Sequence, residues 1–192
     1  MKLSRVKTSS ICAIASLATV TLIAPPPISG AEPAITDANI GAIVLAANQI
    51  DIDYGKIALN KSKNREVRAF AERMIADHGA VQKSVIDLAT KLKLTPEENA
   101  TSKALKDNAV QITAKLNSLS GKAFDTFYID NEVAYHKQVT DAVQTVLIPN
   151  AKNPELKSAL VGAQALFLKH LEHCRQIQAN LEKTNSAHGS QK

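Results

Sequence analysis

The sequence is poor in cysteine, glycine and aromatic residues, and several classes of protein are excluded by what it lacks. Its 192 residues include no tryptophan, seven glycines and two cysteines. It contains no glycine-rich phosphate loop, nucleophile elbow, internal repeat or alternating strand pattern, so enzymes built on those motifs are excluded. Cys12 lies in a segment that we expect to be removed, which leaves Cys174 alone. No intrachain disulfide is then possible, and an oxidising compartment favours burial of the remaining thiol.

The sequence also lacks an apolar run long enough to span a membrane comfortably. Its most apolar stretch, residues 11–23, follows the basic residues Lys2, Arg5 and Lys7 and precedes Ser29-Gly30-Ala31. This order is typical of a secretory signal peptide covering residues 1–31. We expect an exported protein, periplasmic or secreted, and the alternative is a membrane anchor formed by the uncleaved segment. No cysteine stands at the cleavage point, so a lipoprotein is not predicted.

The mature protein has little excess charge of either sign. Residues 1–31 hold three of the 23 basic residues and none of the 18 acidic ones, so their removal lowers the formal net charge from +5 to +2. A nearly neutral surface of mixed charges argues against nucleic acid as a partner. The sequence does not indicate an oligomeric state.

Apolar residues recur at steps of three and four along most of the chain, which predicts an all-α protein. A helical domain is expected over residues 36–183, followed by a disordered tail over residues 184–192. The predicted helices cover about residues 37–61, 65–92, 97–119, 122–147 and 154–183. Short turns join the first pair and the last pair, and the helix at 97–119 is long enough to return the chain along the bundle. The topology predicted is a ferritin-like four-helix bundle with one long helical crossover connection.

Three histidines occupy positions where an apolar residue is expected at a helix interface. His78 falls in the series from Val67 to Leu92, and His170 falls in the series from Leu156 to Leu181. His136 shares a helix face with Glu132, and Asp51 lies at the edge of the apolar stripe of the first helix. With a rise of 1.5 Å per residue, all five lie about 17–22 Å from the same end of the bundle. We therefore expect one polar layer across the core.

The layer has two interpretations. His78, His136 and His170, with Asp51 and Glu132 nearby, would suit a transition-metal ion such as Zn, Cu, Fe or Ni. Alternatively, the layer is hydrogen-bonded and specifies only the packing of a structural or interaction module. A metal-dependent oxidoreductase is a third, weaker hypothesis. The Glu-x-x-His pairs of di-iron proteins are absent, and no catalytic residue or organic cofactor is predicted.

Several segments carry a resemblance to a known family. Asp51-Ile-Asp-Tyr-Gly-Lys, Phe-Ala-Glu-Arg-Met-Ile-Ala-Asp-His ending at His78, Gly121-Lys-Ala-Phe-Asp and His170-Leu resemble DUF4142 over about residues 39–181. The resemblance implies an exported bacterial protein with a ferritin-like bundle, often described as a membrane or outer-membrane protein, and no settled activity. The recurring polar residues of that family fall on Asp51, His78, His136 and His170. Asp51 replaces the usual glutamate, and Ala165 replaces a usual proline.

Processing of the N-terminus gives the first prediction. Cleavage after Ala31 should give a mature chain that begins at Glu32, because Ser29-Gly30-Ala31 follows the apolar stretch at the spacing that signal peptidase requires. Intact-mass measurement of the exported protein checks this expectation. Exported material that retains Met1 would contradict it and favour the anchored form.

Overall fold

The computed structural model describes the backbone of residues 35–189 and the side chains as far as Thr184. The expected signal peptide lies outside the described residues. Six helices follow in order: α1 (Asp37–Lys61), α2 (Arg65–Lys91), α3 (Ala100–Ser118), α4 (Gly121–Ala142), α5 (Ile148–Asn150) and α6 (Pro154–Gly189). Within these residues there is no strand, and none of the helices is both long enough and apolar enough to cross a bilayer.

The helices form the expected bundle. α1 packs along α2, α4 packs along α6, and α2 also contacts α6. The crossover helix α3 packs mainly on the outer side of α1. The all-α prediction of a four-helix bundle with one helical crossover is confirmed.

Local capping explains where the first two helices begin. The Thr36 hydroxyl accepts a hydrogen bond from the backbone N–H of Asn39, and the Asn39 side chain accepts one from the backbone N–H of Thr36. Asn64 caps α2 by accepting from the backbone N–H groups of Glu66 and Val67. These side chains satisfy N–H groups that have no partner inside the helix. Both starts were predicted from the sequence.

The predicted start of the third helix at about residue 97 is wrong, although Thr95-Pro96-Glu97-Glu98 has the sequence of a helix start. α3 begins at Ala100, and Asn99 and Ser102 form its capping box. The Glu97 backbone N–H donates to the Ala38 carbonyl, and the Asn39 amide donates to the Glu97 carbonyl. These bonds hold the segment before Asn99 against the beginning of α1, so tertiary contacts override a local start signal.

The fourth helix is not continuous to Leu147 as expected. After Ala142 the chain forms a π-helical turn, Val143–Leu147, in which the Ile148 N–H donates to the Val143 carbonyl five residues back. Because a π turn holds one extra residue, the buried face shifts by one position. Leu147 is therefore buried at 4% exposure. Val146, which an unbroken α-helix would place on the same face as Val139 and Val143, is 42% exposed.

The last helix is longer than expected. α6 continues to Gly189, whereas the sequence predicts a disordered tail from residue 184. The Thr184 hydroxyl donates to the Asn180 carbonyl, and residues 163–188 contain neither proline nor glycine. Residues 184–189 are thus helical, and residues 190–192 lie outside the described residues.

The apolar core is divided into two clusters. One cluster includes Tyr54, Phe70 and Tyr128 near the α1–α2 turn, and the other includes Ile40, Val85 and Leu147 near the opposite end. Between them all four bundle helices contribute polar side chains: Asn48 and Asp51 from α1, His78 from α2, Glu132 and His136 from α4, and His170 from α6. The core is therefore interrupted by a polar layer at one depth.

A tight contact between α1 and α2 fixes the approach of the two helices. A Cβ added to Gly55 would lie 2.9 Å from Ile75 Cγ1 and 3.1 Å from the Ala71 carbonyl oxygen. The two helices therefore pack closely at this glycine, and a larger residue there would push them apart.

Gly55→Ala should destabilise the protein despite the better helix propensity of alanine. Overpacking costs about 1–3 kcal/mol, against a propensity gain of about 1 kcal/mol. Gly79→Ala is the matched control, because a Cβ at Gly79 meets nothing within 4 Å; it should stabilise the protein. Urea unfolding at constant pH checks both variants, and equal gains in stability would contradict the packing argument.

Candidate metal centre

The polar layer brings together all five site residues expected from the sequence. His78, His136, His170, Asp51 and Glu132 are each between 0 and 2% exposed. One nitrogen from each of the three histidines lies within 4.8 Å of the other two. The ring centroids form a nearly equilateral triangle, with separations of 5.5 Å for His78–His136, 5.2 Å for His78–His170 and 5.4 Å for His136–His170.

The tautomer of His78 follows from its hydrogen bond to Asn48. The Asn48 amide nitrogen donates to the Val44 carbonyl at 2.7 Å, so its Oδ1 is left to accept from His78 Nδ1 at 2.9 Å. The proton of the neutral ring is therefore on Nδ1, and Nε2 carries a lone pair. Phe167 stacks on the ring at 4.9 Å between centroids, nearly parallel, and restricts its rotation.

His136 and His170 are held in the same way by different acceptors. His136 Nδ1 donates to the Glu132 backbone carbonyl at 3.1 Å, and His170 Nε2 donates to the Asp77 carboxylate at 2.9 Å. The Asp77 carboxylate therefore orients the imidazole of His170.

The second nitrogen of every ring has no hydrogen-bond partner. His78 Nε2, His136 Nε2 and His170 Nδ1 are all buried, and none has a partner within the part of the chain that the structure describes. Each histidine thus has one nitrogen fixed by a donated hydrogen bond and one with a free lone pair. This is the arrangement of histidines that bind metal ions, in which the outer hydrogen bond sets the tautomer and the ring orientation.

The two carboxyl groups lie beside the histidines. Asp51 Oδ2 is 3.5 Å from His78 Nε2, and Glu132 Oε2 is 3.4 Å from His136 Nδ1. Oxygens of Asp51 and Glu132 lie within 4.8 Å of each other and of a His136 nitrogen. Among the described residues, Asp51 Oδ1 and both carboxyl oxygens of Glu132 have no partner in hydrogen-bond geometry, although the two carboxyl groups are close enough for each to affect the pKa of the other. The carboxyl groups thus offer a second set of free oxygen ligands that shares His136 with the first set.

Burial controls the charge of this layer. It raises the pKa of Glu132 to about 8, and burial together with the neighbouring Glu132 charge raises the pKa of Asp51 well above its ordinary value. Burial and the nearby His136 and His170 lower the pKa of His78 to about 2. Burial also lowers the pKa of His170 to about 4, although Asp77 opposes this effect. His78 and His170 are therefore neutral near pH 7, which is the state in which imidazole binds metal.

Cys174 is not a ligand in this arrangement. Its thiol donates to the Leu171 carbonyl at 3.2 Å, and burial raises its pKa to about 12. The neutral thiol packs as a small apolar group, as the sequence suggests. His173, expected on the flank, is half-buried and contacts Phe70 edge-on, with ring centroids 5.4 Å apart.

Sequence reasoning missed Asn48, which is 1% exposed. It lies one turn before Asp51 on the buried face of α1. A polar residue one helical turn from a candidate ligand was the available signal. The partner could not be predicted, because the bond joins residues 30 positions apart on two helices.

Comparison with known proteins gives one family and one fold. A family model described as "Domain of unknown function (DUF4142)" matches residues 24–177. No curated protein matches the chain. A solved structure described as "CopM in the Cu(II)-bound form" is similar, with a TM-score of 0.58 and 15% sequence identity over 76% of this chain and 97% of that chain. At that identity the likeness shows a shared fold.

The raised pKa of Glu132 predicts how the stability of the metal-free protein depends on pH. Glutamate loses its proton near pH 4.5 in the unfolded chain but near pH 8 in the folded protein, so the folded state holds more protons between these values. Stability should therefore fall by about 2 kcal/mol from pH 6.5 to pH 8.5. The lowered pKa values of His78 and His170 change the stability of the protein only at lower pH. Because the unfolded chain binds these protons first, stability falls as the pH falls below 6.5.

Urea unfolding in the presence of a chelator measures this dependence. Glu132→Gln keeps the shape of the protonated acid and should lose much of the decline above pH 6.5. Glu72→Gln, on the exposed face of α2, is the control and should behave like the wild type. Equal declines in all three proteins would show that Glu132 does not hold a proton in the folded state.

Proposed function

The chain belongs to the DUF4142 family, and we propose that it is an exported protein that binds a divalent transition-metal ion in the core of its helical bundle. His78, His136 and His170 would supply the three nitrogen ligands. Asp51, whose Oδ2 lies 3.5 Å from His78 Nε2, would supply an oxygen ligand, with Glu132 beside it.

The proposal is carried by one observation: each of the three buried histidines has an unpaired ring nitrogen, and one nitrogen from each ring lies within 4.8 Å of the other two. His78 Nε2, His136 Nε2 and His170 Nδ1 lack partners, while the opposite nitrogen of each ring is anchored to Asn48, the Glu132 carbonyl or Asp77. Leaving a buried polar atom unsatisfied costs about 1–3 kcal/mol. A bound cation would satisfy all three lone pairs at once, so these residues fit such an ion.

The same atoms argue against the packing interpretation. A layer that only specified packing would hydrogen-bond its polar atoms to one another. Here the carboxyl groups of Asp51 and Glu132 interact with each other, but Asp51 Oδ1 and both oxygens of Glu132 have no partner in hydrogen-bond geometry among the described residues. A layer with this many free lone pairs around a common centre is better suited to a cation than to packing.

Copper(II) is the ion that we propose. Imidazole nitrogens with a carboxylate suit Cu(II), and for a given set of such ligands Cu(II) is bound more tightly than the other divalent ions of the first transition series. The similar solved structure is described as Cu(II)-bound, which supports the choice. With Asp51 and Glu132 both ionised, a divalent ion would leave the site without net charge, as burial requires.

We propose metal handling rather than catalysis as the role of the site. The site side chains are at most 2% exposed, so a substrate of any size would have no direct contact with the ligands. The Glu-x-x-His pairs of di-iron oxidases are absent. Holding an ion away from solvent is the chemistry that this enclosure supports, and the signal peptide expected at residues 1–31 would place the protein in the periplasm or outside the cell.

Metal-dependent stability tests the proposal. A ligand that binds only the folded state should raise stability by about 2.7 kcal/mol at a hundredfold excess over its Kd. His78→Leu should lose most of this gain while the metal-free protein still folds, because leucine fits the apolar position that the helix pattern provides. His173→Gln removes a histidine outside the layer and should keep the wild-type response.

The measurement is the shift of the melting temperature on addition of CuCl2 to protein that carries no histidine tag. ZnCl2, added in parallel, tests the choice of ion. No shift in the wild type, or an equal shift in the wild type and His78→Leu, would refute the site.

A further inference from the structure

A groove between α2 and α6 runs beside the polar layer. It encloses about 330 Å³, enough for roughly ten water molecules. It exists because small residues face each other across it, and a Cβ added at Gly162 would meet nothing within 4 Å. Its lining includes Asp77, Ala80, Ser84, Gly162, Ala163 and Leu166.

The groove carries a single negative charge. Asp77 is the one ionisable residue among those that line it, and its side chain is 32% exposed. A lone carboxylate in a largely apolar channel favours a cation over an anion, because low-dielectric walls strengthen its field.

His170 connects this carboxylate with the buried centre. Its Nε2 donates to Asp77 Oδ2 at 2.9 Å, and its Nδ1 has no partner among the described residues. One of its ring nitrogens lies within 4.8 Å of nitrogens of His78 and His136. The acceptors of the other two histidines are different, since Asn48 is 1% exposed and the Glu132 carbonyl belongs to a residue with no exposure. Of the three outer hydrogen bonds, only the one to Asp77 reaches solvent.

We propose that divalent cations reach the centre through the α2–α6 groove, that Asp77 binds them first, and that His170 passes them inward by rotation of its ring. This inference rests on the proposed metal-binding function and adds a path and a loading residue to it. The transfer exchanges one Asp77 oxygen for one imidazole nitrogen, with no redox step.

A path for the ion predicts how fast it binds and leaves, which the affinity of the bound state does not determine. An obstacle in the groove raises the barrier for binding and for release equally, so both rate constants fall while Kd stays the same. Gly162→Phe should place a large side chain in the groove, at a position whose Cβ has open space. Gly79→Phe is the matched control: its Cβ also meets nothing within 4 Å, and Gly79 does not line the groove.

Stopped-flow mixing with CuCl2 measures both rate constants through tyrosine fluorescence. The chain has no tryptophan, and its three tyrosines, Tyr54, Tyr128 and Tyr135, are buried. Burial raises the pKa of each tyrosine, and the carboxyl groups of Asp51 and Glu132, when ionised, raise it further because they lie nearby. Gly162→Phe should slow association and dissociation by the same factor of about ten, which corresponds to a barrier higher by about 1.4 kcal/mol. Gly79→Phe should match the wild type.

Asp77→Asn provides a second measurement, which does not require the groove to be filled. Asparagine keeps an acceptor for His170 but removes the charge, so association should slow and lose most of its dependence on ionic strength. Wild-type association rates in both Gly162→Phe and Asp77→Asn would overturn the path while leaving the metal site intact. If the wild type itself does not bind Cu(II), the proposed function fails first.

Discussion

The hydrogen bond on the outer nitrogen of each histidine is the interaction on which the site depends. A neutral imidazole has one donor and one acceptor nitrogen, and the outer bond decides which nitrogen faces the centre. The acceptors are an amide oxygen, a backbone carbonyl and a carboxylate. Two of them belong to a neighbouring helix, since Asn48 of α1 holds His78 of α2, and Asp77 of α2 holds His170 of α6. The geometry of the three rings is therefore a product of bundle assembly, and the proposed metal site would couple binding to folding.

A second constraint is that the layer must avoid isolated charge. The bundle core on both sides of it is apolar, and an unpaired ion there is costly. The opposite pKa shifts meet this constraint: burial keeps the carboxyl of Glu132 protonated and the rings of His78 and His170 neutral near pH 7. In the proposed metal-bound state, the carboxyl groups of Asp51 and Glu132 would supply the negative charge that balances the cation.

Much of the site could be predicted from the sequence because helices have a fixed rise and a fixed period. His78 and His170 stand out as polar residues in apolar series, and the rise per residue places them at the depth of Asp51, Glu132 and His136. Features that depend on contacts between distant residues could not be predicted. Asn48 acts across two helices, and the segment before Asn99 is held by α1 rather than by its own start signal. The π turn before Ile148 changes the backbone hydrogen bonds. The spacing of apolar residues before the turn does not indicate this change, so it could not be predicted.

The crossover helix has a mechanical consequence for this divided core. The two apolar clusters are separated by the polar layer, yet Leu105 of α3 and Val139 of α4 pack against both. Leu105 lies on the helix that would otherwise serve only to return the chain along the bundle. Through Leu105, α3 packs against the apolar clusters on both sides of the polar layer and so links them. Because Leu105 and Val139 contact both clusters, the bundle can hold polar groups between the clusters while the two clusters stay packed together.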